Sequence, residues 1–231
     1  QDELESSMNK YGVEDTILIT RSNRRANEYN QQIRGRILWF EEKLCSGDCL
    51  MVVKNNYFWM GDDSKMGFIA NGELFTVRRI LRMEELYGFE FATLIVNFVD
   101  YEEAGDVELI IHTESLLSEG PSMARNRMKE LFFEVEQDYI HKKNKKERYE
   151  AILKDPYFNA LQVKYAYAVT CHKSQGGQWQ NVFIDQGFIN DDILGPDYYR
   201  WLYTALTRAV DKVFLVNFSD EFFLNQPEEL E

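Results

Sequence analysis

Apolar and polar positions follow two different rhythms along this chain. Residues 16–20, TILIT, form a short unbroken β-prone run, the pattern of a buried strand. Ser22 then stands where a helix cap is needed, and Ala26, Tyr29, Ile33, Ile37 and Phe40 recur at helical spacing, with Gly35 placed to end or interrupt the helix. From about residue 45 the rhythm changes. Residues 48–53, 67–70, 73–82, 88–100 and 106–111 read as strands, separated by Gly47-Asp48, Gly61-Asp62 and the tight-turn dipeptide Asn71-Gly72. Five short strands with turns between them predict a small β-barrel inserted into an α/β unit.

Helical spacing returns at 121–150, opened by Pro121 and striped by Met128, Leu131, Phe132, Val135 and Tyr139. Residues 165–169 read as a strand and 181–185, NVFID, as a second buried one. A helix over about 198–210 puts Tyr198, Leu202, Ala205 and Ala209 on one face and Arg200, Thr204, Thr207 and Arg208 on another. Residues 212–217 supply the last strand, and an acidic, peripheral tail follows from Asp220. The opening stretch QDELESSMNKYG has no periodic pattern. Beginning as it does at Gln1, the chain reads as a piece of a longer protein.

Composition narrows the class. With 231 residues, 45% hydrophobic and 14% aromatic, the chain can bury a sizeable core as one large or two modest domains. A net charge of −13 excludes general electrostatic attraction to nucleic acid, so any such site is a local basic groove on an acidic body. Three cysteines, Cys45, Cys49 and Cys171, point to reduced thiols and a cytoplasmic setting. Cys45 and Cys49 have zinc-compatible spacing but no second pair or nearby histidine, so ordinary thiols are the better reading. No run reaches membrane-span length.

The densest candidate chemistry lies in residues 165–179, YAYAVTCHKSQGGQW. A strand there ends in Thr170, His172, Lys173, Ser174 and Gln175, then breaks at Gly176 and Gly177. In open α/β sheets ligands gather at the carboxyl ends of strands, so this cluster predicts a phosphate- or nucleic-acid-facing loop. Arg21, Asn23, Arg24 and Arg25 occupy the same kind of position after residues 16–20. Amide donors at a helix start with arginines beside them suit an anion, although arginines there also oppose the helix dipole. Tyr57, Phe58 and Trp59 interleave with the cations Lys54, Lys65, Arg78, Arg79 and Arg82. That pattern fits either a single-strand clamp or a plain barrel core with polar edges. The run HKKNKKER, with Lys142, Lys143, Lys145, Lys146 and Arg148, reads as a solvated face rather than a DNA contact.

Three segments, TILITRSNRRANEYNQQIR, VTCHKSQGGQWQNV and WLYTALTRAVDKVFLV, resemble in order the C-terminal half of superfamily 1 DNA helicases, in particular the RecD and Dda group that includes the exodeoxyribonuclease V alpha subunit. The TCHKSQG and YTALTRA signatures carry the likeness. GDCLMVVKNNY and the NGE turn add weaker support, and residues 113–160 match nothing.

The resemblance implies an α/β fold: a RecA-like parallel-sheet motor domain over 1–44 and 157–231, an inserted SH3-like β-barrel over 45–112 and a helical insertion over 113–156. It implies ATP-dependent translocation on single-stranded DNA, 5′ to 3′ by analogy, with the nucleotide held between this domain and an N-terminal RecA-like domain of the same protein. Other helicase–nuclease subunits are further partners it allows. Arg208 falls on the arginine finger, where a fixed guanidinium stabilises charge spread over the γ-phosphate. Gln175, Gly176 and Gln178 face the nucleotide; Thr170, His172, Lys173 and Ser174, with Arg21 and Asn23, lie near the DNA backbone. Many relatives carry a glutamate where Gln178 stands, which leaves the nucleotide-sugar contact uncharged here.

The chain contains no GxxxxGK[ST] and no Asp-Glu pair after an apolar strand, nor an upstream arginine motif of the kind that opens this domain in relatives. ATP and Mg²⁺ are therefore expected as cofactors of the full-length protein, and the isolated chain is expected not to hydrolyse ATP. A different class also fits: a standalone nucleic-acid-binding or interaction module without a motor. A nuclease does not fit, because Glu41 to Lys43 follows a helical run with no aspartate on a preceding strand.

Overall fold

The computed structural model describes residues 2–60, 66–101, 103, 105–188 and 194–223. The chain divides into two compact units, Gln1–Gln31 with Tyr167–Glu231, and Gln32–Ala166.

The first unit is built on a four-stranded, all-parallel sheet in the order β7-β1-β8-β9. The strands are β1 (Thr16–Thr20), β7 (Ala168–Thr170), β8 (Trp179–Asp185) and β9 (Ala209–Val216). β1 is buried at all five positions, as its continuous apolar run requires of a central strand covered on both faces. Helix α1 (Asp2–Tyr11) contacts β1 and β8, and α5 (Pro196–Leu206) contacts β8 and β9. Phe183 and Phe214 stack across the β8–β9 pair at 4.3 Å between ring centroids. Helix α2 (Asn23–Arg36) follows β1 directly.

The second unit is a closed barrel, β2-β3-β4-β5-β6, with a helical segment packed on it. Its strands are β2 (Cys49–Val52), β3 (Leu74–Leu86), β4 (Phe89–Phe98), β5 (Asp106–His112) and β6 (Leu161–Tyr165). β6 closes the ring by pairing antiparallel to β2 and parallel to β5. Helices α3 (Arg125–Asp138) and α4 (Lys145–Ile152) bury Leu131, Val135 and Ile152 against Phe89, Phe91 and Ile110. This makes a second apolar cluster on the outside of the barrel wall.

Several expectations need correction. The barrel is not confined to 45–112, because its fifth strand lies after the helices. Residues 67–70 contribute only an isolated bridge, Asn56 to Ile69. The single strand expected at 165–169 is two, β6 ending at Tyr165 in the barrel and β7 starting at Ala168 in the sheet. The long helix at 121–150 is broken between Tyr139 and Asn144, whose side chain caps α4 by accepting from the Lys146 amide at 3.0 Å. Residues 2–11, without visible periodicity, are helical, with Leu4, Ser7 and Met8 buried on one side. Of the two roles expected of Gly35, it does not interrupt α2 but stands at its end, the helix stopping one residue later at Arg36. The last helix stops at Leu206, so Ala209 begins β9 rather than continuing the helix. Gly61-Asp62, Lys65, part of the loop before α5 and most of the acidic tail lie outside the described residues. No helix among the described residues is long and apolar enough to cross a membrane.

Candidate functional site

The parallel sheet gives its two edges different chemistry. Thr20, Thr170, Asp185 and Val216 end their strands on one edge; Thr16, Ala168, Trp179 and Ala209 begin them on the other. The segment 171–178 leaves β7 at the first edge and enters β8 at the second, two strands away in the sheet order. It therefore spans the length of β1, roughly 16 Å.

The segment is folded tightly at its start. The Thr170 carbonyl accepts from the amides of Lys173 at 2.8 Å and Ser174 at 3.2 Å, and the Cys171 amide donates to the Thr20 carbonyl at 3.2 Å. Ser174 is fully buried, and its hydroxyl donates to the Cys171 carbonyl at 2.8 Å. In this arrangement the hydroxyl braces the turn. Thr170 and Lys173 are half-buried, and His172 is exposed. Burial pushes the Cys171 thiol above its ordinary value, against the opposing effects of Ser174 and the Arg208 charge. The thiol is thus a packing group rather than a nucleophile.

The far end meets Arg208. Gln175, Gly176 and Gln178 are exposed. Gly176 has φ of 90°, a left-handed backbone that glycine adopts without strain. At Gly177 the reason for glycine is different: a Cβ would lie 2.3 Å from the Trp179 ring, so the indole packs directly on the backbone. The Trp179 amide donates to the Arg208 carbonyl at 3.0 Å.

The Arg208 guanidinium donates to the Thr204 carbonyl at 3.0 Å, the Thr207 hydroxyl at 3.0 Å and the Gly177 carbonyl at 3.4 Å. A guanidinium has five N–H donors. Three hold Arg208 in place and two remain uncommitted among the described residues, on a side chain that is half exposed. This structure brings Arg208 together with the Gln175–Gln178 end of the segment, and Thr170 together with the carboxyl-end edge.

That edge carries a cleft of about 780 Å³, lined in part by Arg21, Ser22, Arg24, Arg25 and Asp185. Ser22 caps α2, its hydroxyl accepting from the Arg25 amide at 3.2 Å. Asn23 is the first helical residue and half-buried. Arg21 is exposed, its guanidinium lying 5.6 Å and 5.7 Å from the ring centroids of Tyr198 and Trp201.

The pattern along the chain did not reveal the group at the floor. Arg25 Nε donates to Asp185 Oδ2 at 2.8 Å, the Tyr29 hydroxyl donates to Asp185 Oδ1 at 3.0 Å, and Asn217 Nδ2 donates to the same oxygen at 2.5 Å. Burial opposes the charged form of Asp185, but these bonds outweigh it and hold the carboxyl below its ordinary range. Position at a strand's carboxyl end was the one signal available for Asp185; its pairing with a residue 160 positions away has no local trace.

Residues 165–216 match the model of the UvrD-like helicase C-terminal domain. TCHKSQG and YTALTRA both lie inside this segment, and over it the superfamily 1 helicase resemblance is borne out. The sequence matches no curated protein. Among solved structures, the chain is similar to the Pif1 helicase from Candida albicans, with 12% identity, a TM-score of 0.45 and coverage of 90% of this chain and 46% of that one. It is also similar to the Pif1 helicase from Bacteroides in complex with ADP-AlF3 and ssDNA, with 12% identity, a TM-score of 0.47 and coverage of 96% and 52%. A Bacteroides Pif1 structure bound to ssDNA gives 12% identity, a TM-score of 0.41 and coverage of 94% and 49%. The chain spans about half the length of these structures.

Proposed function

We propose that this chain is the second, RecA-like motor domain of an ATP-dependent DNA helicase or translocase of superfamily 1, with an inserted SH3-like barrel. The observation that carries the reading is Arg208: a guanidinium inside the matched segment, fixed by three bonds and keeping two donors for a partner. A planar cation held in that way suits the charge that develops on a transferring phosphoryl group, and lysine would not replace its fork.

In this account ATP supplies the phosphoryl group when bound, with Mg²⁺, on an N-terminal domain of the same protein. Arg208 completes the site from this side, beside Gln175, Gly176 and Gln178. Thr170, His172 and Lys173, with Arg21 and Asn23, take the backbone of single-stranded DNA at the opposite edge. Such contacts position a strand without reading its sequence. Because one short segment joins the two edges, a change at the Arg208 end can alter the grip at Thr170. Movement 5′ to 3′ follows from the RecD and Dda resemblance by analogy.

The test is Arg208→Ala in the full-length protein. DNA-stimulated ATP hydrolysis should be lost while binding of single-stranded DNA persists. Unchanged turnover would remove the finger assignment.

A further inference from the structure

The barrel unit holds a cleft of about 380 Å³ that the motor chemistry does not use. Its geometry starts at Asn56, whose side-chain oxygen accepts from the amides of Phe58 at 2.9 Å and Trp59 at 3.4 Å. The Asn56 side-chain Nδ2 donates to the Asn159 carbonyl at 2.8 Å, and the Trp59 indole donates to the same oxygen at 2.8 Å. This pins the turn and leaves Tyr57 projecting, 70% exposed, with its ring stacked on Phe68 at 4.9 Å. Phe58, Met128, Leu153 and Phe158 give the cleft apolar walls.

Two polar groups face this space without good partners. Gln162, buried in β6 and lining the cleft, uses its oxygen to accept from the Met123 amide at 2.9 Å. Among the described residues its Nε2 donor has only the Met128 sulfur at 3.4 Å, a weak acceptor. Lys54, exposed on the lining, makes no ion pair among the described residues.

We propose that this cleft binds an unpaired nucleobase of a single-stranded nucleic acid, with the base against Tyr57, its edge at the Gln162 amide and the adjoining phosphate at Lys54. A flat ring with polar edges uses both the aromatic platform and the buried donor. An aliphatic side chain of a protein partner would fill the walls and leave the donor on sulfur. Aromatic stacking of this kind tolerates any base, so the site holds a strand without selecting its sequence. The inference does not need the motor reading.

The test is photocrosslinking of the whole chain to a short oligothymidylate carrying one 5-iodouracil, with the attached peptide identified by mass spectrometry. Crosslinks to the 54–59 segment are expected. Tyr57→Ala should lower their yield and the oligonucleotide affinity at this site about tenfold. Tyr57→Phe should retain both, and Leu153→Trp, which fills the cleft, should abolish them. Because Tyr57 is exposed, an unchanged melting temperature in Tyr57→Ala separates loss of the site from loss of the fold.

Crosslinks at 54–59 that persist undiminished in Tyr57→Ala, or their complete absence, would overturn the proposal. So would an abasic oligomer that competes as well as the thymidylate, or an acidic peptide that occupies the cleft where the oligonucleotide does not. Crosslinks at 170–178 report on the motor reading separately.

Discussion

Helix α2 carries two arginine–aspartate pairs that share a bond length and differ in exposure. Arg34 and Asp48 meet at 2.8 Å with side chains 3% and 0% exposed. Arg25 and Asp185 also meet at 2.8 Å, but the arginine is 40% exposed and lines the cleft at the sheet edge. The sealed pair is surrounded by internal partners. Arg34 donates to the Glu42 carbonyl at 2.8 Å and lies over the Tyr165 ring at 4.5 Å, and Asp48 accepts from the Cys45 amide at 2.7 Å. The open pair keeps one member in solvent.

A charge pair that is fully enclosed serves the architecture of its own unit, because it faces only internal groups and removal of either partner strands the other. A pair open on one side fixes a cation while leaving it available. In the sheet unit Arg25 follows this second pattern, and Arg208, held by two carbonyls and a hydroxyl instead of a carboxylate, is likewise fixed and available.

The largest effect that could break this contrast is at the sealed pair. Arg34→Ala should destabilise the protein by about 3–5 kcal/mol, because Asp48 would remain buried without its guanidinium. Urea denaturation measures this, and a loss below about 1 kcal/mol would show that the pair is not enclosed as described.

His112 sharpens the same point without an ion pair. Both ring nitrogens are buried among Phe89 and Phe91, without a hydrogen-bond partner among the described residues. Burial, assisted by the Arg127 and Lys54 charges, lowers its pKa from 6.5 to about 4. The unfolded chain thus takes up a proton that the folded chain refuses. Stability should be full above pH 6.5 and fall as pH drops toward 4, by about 3 kcal/mol. His112→Phe should flatten that slope, and a slope unchanged in the variant would place its origin elsewhere.

Smaller still is Arg25→Ala. Asp185 would keep Tyr29 and Asn217, and the arginine is partly screened by solvent, so about 2 kcal/mol or less is expected. The depressed carboxyl of Asp185 supplies stability that is present above its ordinary value near 3.8 and is lost as pH falls through its lower folded value. The variant should therefore be less sensitive to acid below pH 4, as a series of thermal melts would show. A cost equal to that of Arg34→Ala would erase the distinction between the pairs.

Elements with strong local rhythm were legible from the residues alone. β1, with its five buried positions, and α2, opened by Ser22, needed nothing from the rest of the chain. β6 was not legible, since Gln162 and Lys164 interrupt its apolar character and its barrel partners lie in segments far away along the chain. The boundary between β6 and β7 was hidden by the continuous run Tyr165 to Val169, which holds the end of one strand and the start of another. At the candidate site, the residue types of the 170–178 segment were visible, but the burial of Ser174 was not. Serine gives no sign of whether its hydroxyl turns inward. The Arg25–Asp185 pair and the three bonds on Arg208 are likewise products of the folded arrangement.

The central claim is that Arg208 acts on a phosphoryl group and does not merely brace its turn. Single-turnover ATP hydrolysis by the full-length protein on single-stranded DNA tests it most directly, comparing the native chain with Arg208→Lys and Arg208→Ala. The account predicts a fall in the hydrolysis rate of at least about a thousandfold in both variants, with affinities for nucleotide and DNA nearly unchanged. Hydrolysis at the native rate in either variant, or a loss explained entirely by weaker DNA binding, would contradict it.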